Sequence, residues 1–154
     1  MYVIQKTYNK KNIELSNNRN IVVVVPSASS LEIKKFNELV REAVNEYNND
    51  NEKYELIFLN NSDVERSAEK NFEKIYNATI VIAECTEKKP NVFYLLGIAH
   101  SIGKPVCSCY KIKNDSVLDI PFNVHGRQSV TYTLKTMSLQ KEFKEKLKEW
   151  ISMI

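Results

Sequence analysis

Residues 79–110 read TIVIAECTEKKPNVFYLLGIAHSIGKPVCSCY and contain a complete strand–helix–strand unit. The unbroken apolar run Thr79–Ala83 predicts a strand buried on both faces, as in a parallel sheet. After Pro90, residues 91–102 predict a helix, with Asn91 as its N-terminal cap and Gly103 in the left-handed conformation at its end. Val106–Tyr110 predicts the next strand. A helical crossover of this kind joins parallel strands, so the stretch indicates an α/β fold.

The same alternation of strand and helix continues on both sides of this unit. The other predicted elements are the strands Ile21–Val25, Tyr54–Leu59 and Ser129–Thr133, and the helices Leu31–Tyr47, a second that ends near Tyr76, and Leu139–Ile154. This order predicts a flavodoxin-like three-layer sandwich: a five-stranded parallel sheet with helices on both faces. The runs at 21–25 and 79–83 are apolar throughout, which predicts that they are interior strands.

The length of 154 residues suits one domain, which we assign to residues 21–154. Residues 1–20 are polar with scattered Tyr and Ile, and we expect an N-terminal arm or an extra strand there. A net charge of +3 without a long basic run argues against a long nucleic acid or a membrane surface as partner. The apolar runs are too short to cross a bilayer and no secretory signal is evident, so we expect a cytoplasmic protein.

The cysteines and glycines give no sign of a metal or cofactor. The chain has three Cys and two His with no CxxC pair, which is a poor set of zinc ligands. Cys85, Cys107 and Cys109 are therefore expected to be reduced, buried thiols. A glycine-rich phosphate loop is also lacking, so we predict neither a metal nor a cofactor.

The predicted topology selects a candidate site without any motif. Ligands of open α/β sheets bind beyond the carboxyl ends of the strands. The loops at that edge are 26–30, 60–63, 84–91 and 111–127, and their candidate ligand-binding residues include Pro26, Ser27, Ser29, Ser30 and Asn91. The predicted helix N-termini near Ser30 and Asn91 would offer N–H groups to a phosphate or another anion. We predict that Glu84, Asn91 and the 27–30 loop line one pocket.

The segment IVIAECTEKKPNVFYLLGIAHSIGKPV at 80–106, followed by IPFNV at 120–124, resembles the nucleoside 2-deoxyribosyltransferase-like family. Members of that family read NPNVFYELGIAHALGKP and later IPFDL. The resemblance covers roughly residues 21–132. The family shares fold type and chemistry with the Toll/interleukin-1-receptor-like (TIR-like) enzymes that break nucleotide glycosidic bonds. The resemblance thus implies a nucleoside or nucleotide ligand and a homodimer, in which the later region can contribute to a neighbour's site.

The resemblance also implies roles for single residues. Glu84 stands where the family usually carries Asp, near the base or the sugar, which makes it the candidate catalytic residue. Phe93 lies at the start of the helix, and Asp119 begins the segment that folds over the ligand. Leu95 replaces the family's nucleophilic Glu, because YELG is YLLG here. Leucine has no lone pair to attack an anomeric carbon, so we predict that covalent transfer is absent while Leu95 still contacts the ligand.

Three functions remain open at this point. The domain binds a nucleoside or nucleotide without cutting it, which is the first prediction. Alternatively, Glu84 or Glu87 activates water and the protein is an N-glycosidase or deoxyribosyltransferase without the family's covalent step. The third possibility is a structural or interaction module that has kept only the scaffold. Ligand binding separates the third possibility from the others, and release of free base separates the first two.

Overall fold

The computed structural model describes residues 19–26, 30–59, 68–112 and 128–154. The predicted N-terminal arm therefore lies outside the described residues, apart from its last two positions. The strands are β1 Asn20–Val24, β2 Glu55–Leu59, β3 Ile80–Glu84, β4 Val106–Lys111 and β5 Ser129–Tyr132. The helices are α1 Leu31–Asp50, α2 Ala68–Asn77, α3 Pro90–Ser101 and α4 Met137–Ser152.

The described strands form one sheet in the order β2-β1-β3-β4-β5, and every neighbouring pair is parallel. This is the flavodoxin-like order, so the predicted fold class is confirmed. The prediction that the two apolar runs form interior strands is also confirmed, because β1 lies between β2 and β3 and β3 lies between β1 and β4. Every residue of β1 and β3 is buried. An all-apolar strand is stable only where both faces of the sheet are covered.

Alternating side chains divide the core into two layers. Ile21, Val23, Ile80 and Ile82 point to one face, where they pack with apolar residues of α1 and α4. We call this the α1/α4 layer. The alternate residues of the same strands pack with apolar residues of α2 and α3 and form the α2/α3 layer; they are Val22, Val24, Val81 and Ala83.

The helix ends show which local signals can be read from sequence. Ser30 caps α1, and its Oγ accepts a hydrogen bond from the Ile33 N–H at 3.2 Å. The predicted cap at Asn91 is wrong: α3 begins at Pro90, and its N-cap is Lys89, which makes no side-chain capping bond. Proline needs no N–H partner in the first turn and its fixed φ already suits a helix, so the helix begins at Pro90 and not after Asn91. Gly103 has φ +74°, which confirms the predicted left-handed end.

An aromatic cluster fixes the position of β5 within the α1/α4 layer. The Tyr132 ring lies 5.2 Å from the ring of Phe36 on α1 and 4.8 Å from that of Phe143 on α4, measured between centroids. Phe36 and Phe143 are themselves 5.8 Å apart. Rings at these separations contribute about 0.5–1.5 kcal/mol per pair beyond the area they bury. The cluster therefore packs α1 and α4 against β5 and leaves the Tyr132 ring little freedom to move.

Replacing Phe36 by Ala should lower the free energy of unfolding by about 3–5 kcal/mol, because the ring is fully buried between α1 and β5. Leu31→Ala on the same helix is the matched control, since Leu31 is 83% exposed, and it should change stability by less than about 0.5 kcal/mol. Urea unfolding followed by circular dichroism measures both values. Similar losses in the two variants would show that the aromatic cluster is not what stabilises this layer.

Candidate functional site

Glu84 is the last residue of β3, and only 2% of its surface is exposed. Strand alternation puts its side chain on the same face as Ile80 and Ile82, which is the face covered by α1 and α4. Its neighbour in register on β4 is Cys109. Glutamate is almost never fully buried unless it is paired, because removing a carboxyl group from water is costly. Glu84 is therefore the most unusual residue at the carboxyl edge of the described sheet.

The two carboxyl oxygens of Glu84 have different surroundings. Oε1 accepts hydrogen bonds from the Thr86 N–H at 3.2 Å, from the Tyr132 hydroxyl at 3.0 Å, and from the Thr86 hydroxyl. Oε2 is equally buried but has no hydrogen-bond partner among the described residues. One oxygen is thus held by the protein, and the other is left for a partner that the described chain does not supply.

Thr86 is itself fixed by the neighbouring strand. Its Oγ1 accepts a hydrogen bond from the Lys111 N–H at 2.8 Å, so its own proton is free to be donated to Glu84. The Cys85 N–H donates to the Cys109 carbonyl at 2.9 Å, which extends the β3–β4 pairing past Glu84. These bonds hold the first residues of the loop after β3 in place, and the loop then turns through Lys88 at φ +50°.

Burial raises the pKa of Glu84 above its usual 4.5, and the nearby charge of Glu87 acts in the same direction. The hydrogen bonds from Thr86 and Tyr132 oppose this rise in pKa, because they favour the charged form. When Glu84 is neutral, its proton lies on Oε2, since Oε1 is already an acceptor. The site can therefore present either a proton donor or an acceptor at Oε2, depending on pH.

A cation and a cleft lie at the same edge. Lys111 ends β4, has a side chain only 12% exposed, and pairs with Glu32 in the first turn of α1. In register, Lys111 lies opposite Tyr132. Glu32 also borders a cleft of about 440 Å³ on the flank of α1, which is lined by Leu31, Glu32, Lys34, Lys35, Glu38 and Leu134. The Lys111–Glu32 ion pair thus anchors the start of α1 near the Glu84–Tyr132 pair. The cleft next to it is open, and its lining side chains expose mostly apolar atoms.

The structure places the other predicted ligand-binding residues at several points around this edge. Pro26 is buried shortly after β1, and Ser30 uses its hydroxyl to cap α1. Asn91 and Phe93 are half-buried in the first turn of α3. Ser27, Ser29 and Asp119 lie outside the described residues, as do the whole 60–63 loop and all of the 111–127 loop after its first two residues. The shared pocket of Glu84, Asn91 and the 27–30 loop accordingly stays a prediction.

Leu95 is 2% exposed and belongs to the α2/α3 layer, where it packs among apolar side chains such as Val92 and Leu96. Glu84 points to the opposite face of the sheet. An apolar residue at position 95 therefore suits its surroundings in the described part of the chain. Contact between Leu95 and a ligand stays a prediction.

Sequence reasoning selected Glu84 but missed Thr86, Tyr132 and Lys111. The Thr86 signal was local, because a hydroxyl two residues after a strand-end carboxylate can hydrogen-bond back to it. Tyr132 could not have been found in this way, since β5 is separated from β3 by β4. The Glu84 and Tyr132 side chains meet across β4, and that contact depends on strand register rather than on sequence distance.

The described ranges contain neither a cluster of metal ligands nor a membrane-spanning helix. No group of three or more His, Cys, Asp or Glu side chains there is arranged to hold a metal ion. Among the helices described, none combines the length and the apolar character that crossing a membrane requires. The three cysteines are free and buried, as predicted.

The sequence matches no protein-family model and no curated protein. Solved structures do resemble the fold. One is the CMP N-glycosidase BcmB of Clostridium botulinum, with a TM-score of 0.54, 15% identity, and coverage of 84% of this chain and 98% of BcmB. Another is a fragment of a predicted lipoprotein from Peptoclostridium difficile 630, with a TM-score of 0.51, 12% identity, and coverage of 87% and 97%. At these identities the likeness shows a shared fold, and one of the proteins with this fold, BcmB, is a CMP N-glycosidase.

Glu84→Gln should change the pH dependence of stability. A carboxyl group whose pKa is raised on folding contributes stability below its unfolded pKa, and this contribution is lost as pH rises through the folded pKa. Above pH 4.5 the wild type should therefore lose stability relative to the Gln variant, which does not titrate. The loss should approach about 1.4 kcal/mol for each unit between the two pKa values.

Urea unfolding between pH 4 and pH 8 measures this difference. Glu73→Gln is the matched control, because Glu73 is an exposed glutamate on α2, which packs on the opposite face of the sheet from Glu84. If Glu84→Gln and Glu73→Gln had parallel pH profiles, Glu84 would not be a buried carboxyl group with a raised pKa.

Proposed function

We propose that this protein binds a nucleoside or nucleotide at the carboxyl edge of its sheet, with Glu84 contacting the base or the sugar. The observation that supports this most strongly is the buried carboxyl group with one oxygen unpartnered among the described residues. Ligands of this fold class bind at that edge. A bound ligand would supply the hydrogen-bond partner that Oε2 lacks.

The class of ligand rests on two further supports. The segment PNVFYLLGIAHSIGKP resembles that of nucleoside 2-deoxyribosyltransferase-like proteins, and the chain shares the fold of a CMP N-glycosidase. The N-terminus of α1, capped by Ser30, would favour the phosphate of a nucleotide through its free N–H groups and its dipole. The proposed ligand contacts are Glu84, Pro26, Ser27, Ser29, Ser30, Asn91, Phe93, Leu95 and Asp119. A homodimer and a cytoplasmic location stay predictions.

Binding without covalent transfer follows from residue 95. The family's route needs a carboxylate that attacks the anomeric carbon, and the leucine side chain at this position has no nucleophilic atom. Leu95 would instead add apolar contact and spare an anionic ligand a like charge.

A second candidate function is hydrolysis of the N-glycosidic bond with Glu84, and it is favoured by a protonatable Oε2 that has no hydrogen-bond partner among the described residues. In such a reaction a water oxygen bonds to C1′ of the sugar while the C1′–N bond breaks. The electron pair of that bond goes to the base nitrogen, which needs a proton. A neutral Glu84 could give that proton from Oε2, and the carboxylate that this leaves could accept the proton that the attacking water loses, which returns Glu84 to its neutral form.

The deciding experiment incubates the protein with nucleosides, nucleoside monophosphates including CMP, and NAD. Thermal shift measures binding, and chromatography measures free base. We expect at least one nucleoside or nucleotide to raise the melting temperature of the wild type and of Glu73→Gln, and Glu84→Gln to weaken that effect. Any release of base should fall by about 100-fold or more in Glu84→Gln.

Two results would count against the proposal. If no compound in the panel changed the melting temperature, a structural or interaction module would be the better account. If base were released quickly and Glu84→Gln left the rate unchanged, the assignment of Glu84 would be wrong.

Leu95→Glu tests whether residue 95 faces the ligand. We expect the new carboxyl group to lower stability, because the α2/α3 layer around Leu95 is apolar. If residue 95 also reaches the sugar, Leu95→Glu should release base from a ligand that the wild type only binds, whereas the uncharged control Leu95→Gln should not. Loss of stability in a variant that still binds ligand but releases no base would assign Leu95 to the core alone.

A further inference from the structure

The unequal surroundings of the Glu84 oxygens point to a role for a residue on a different strand. We infer that Tyr132 is a positioning residue: its hydroxyl, together with Thr86, holds Oε1 of Glu84, so that Oε2 is the atom that meets the ligand. This inference rests on the proposed function, because it takes Glu84 as a ligand contact. It goes further by naming the atom that makes the contact and the side chain that selects it.

Oε1 has no capacity left for a ligand. A carboxyl oxygen offers two lone pairs, and Oε1 already accepts from the Thr86 N–H, the Thr86 hydroxyl and the Tyr132 hydroxyl. Thr86 comes from the same loop as Glu84, so its bonds form locally. The Tyr132 bond is different, since it reaches from β5 across β4 and fixes the carboxyl group relative to the sheet.

Tyr132 is well suited to this task because its own position is fixed. It is 4% exposed, and its ring packs against those of both Phe36 and Phe143, which also pack on each other. A ring packed against one side chain from each of two helices cannot swing its hydroxyl away from Glu84 without disturbing both helices. The hydroxyl is therefore a preorganised donor, and the carboxyl group need not be reoriented when a ligand binds.

The chemistry at Oε2 follows from what occupies Oε1. With three donors on Oε1, the proton of a neutral Glu84 lies on Oε2 and can be donated to the ligand. The matching ligand group is a hydrogen-bond acceptor, such as a carbonyl oxygen or an unprotonated ring nitrogen of a nucleobase. Affinity for such a ligand should fall as pH rises and Glu84 ionises.

The groups around Glu84 allow this titration to be assigned. The titratable groups near it are Cys85 and Glu87 in its own loop, Cys109, Tyr110 and Lys111 on β4, and Tyr132 on β5, with Glu32 of α1 paired to Lys111. From α4, the apolar Phe143 packs on Tyr132. Burial raises the pKa of Cys85 to about 12 and also raises the pKa values of Cys109, Tyr110 and Tyr132. These four groups stay neutral where Glu84 titrates.

Tyr132→Phe tests the inference, because it keeps the ring packing and removes only the hydroxyl. The first measurement is the pKa of Glu84 in the ligand-free protein, from carbon-13 NMR of labelled glutamate carboxyl groups, with the signal assigned through Glu84→Gln. We expect the pKa to rise in Tyr132→Phe, since a donor that favours the charged form is lost. Tyr54→Phe is the matched control. Tyr54 is also a buried tyrosine, only 5% exposed, but it precedes β2, the outer strand on the other side of the sheet from β5. Its replacement should leave the pKa of Glu84 unchanged.

The second measurement is the affinity for CMP between pH 5 and pH 9, by calorimetry. We expect the midpoint of its pH dependence to move upward in Tyr132→Phe by the same amount as the pKa of Glu84, and the dependence due to Glu84 to disappear in Glu84→Gln.

The outcomes separate this inference from the proposed function. An unchanged Glu84 pKa in Tyr132→Phe would overturn the positioning role, whether or not a ligand binds. Equal CMP affinity in the wild type and Glu84→Gln at every pH would overturn the contact through Oε2. If CMP failed to bind the wild type at any pH, the contact through Oε2 would fail for CMP, and the wider nucleotide panel would decide the proposed function. The NMR titration would still decide the role of Tyr132.

Discussion

The interior strands β1 and β3 carry apolar side chains on both faces, and the rest of the structure follows from the need to cover both faces. Helices α1 and α4 cover one face and α2 and α3 the other. Polar side chains are then tolerated mainly where strands end. Glu84 is the last residue of such a strand, so it is both part of the sheet and at the edge where ligands bind. Its burial is a consequence of the same coverage that stabilises the strands.

Much of this architecture could be predicted because its signals are local. Apolar runs mark the buried strands, helical periodicity marks the helices between them, and Ser30 and Gly103 mark helix ends through the chemistry of single residues. The wrong cap at Asn91 came from two competing local signals, since Pro90 can occupy the first helical turn itself. The site was only partly predictable. The edge and Glu84 followed from topology, whereas the bond to Tyr132 depends on how β4 and β5 align.

The contrast between positions 84 and 95 shows what a motif resemblance conveys and what it omits. Both residues belong to one continuous stretch, yet their side chains lie in different layers of the core. Leu95 is surrounded by apolar groups, so a leucine at this position is compatible with stable packing. Glu84 keeps a carboxyl group in a buried position that an apolar residue could fill at lower cost. The stretch thus has an apolar side chain at position 95 and a buried carboxyl group at the strand end.

Retaining Glu84 requires a reason beyond stability. Other buried polar atoms also lack partners among the described residues, including the side-chain oxygens of Asn20 and Gln140, but these are neutral groups whose burial costs about 1–3 kcal/mol each. A buried carboxyl group that ionises costs more, and burial raises its pKa for that reason. Local features that lower stability without a structural gain are expected mainly at functional sites. Thr86 and Tyr132 limit the cost at one oxygen and leave the other without a partner among the described residues, which is the arrangement expected of a group kept for a ligand.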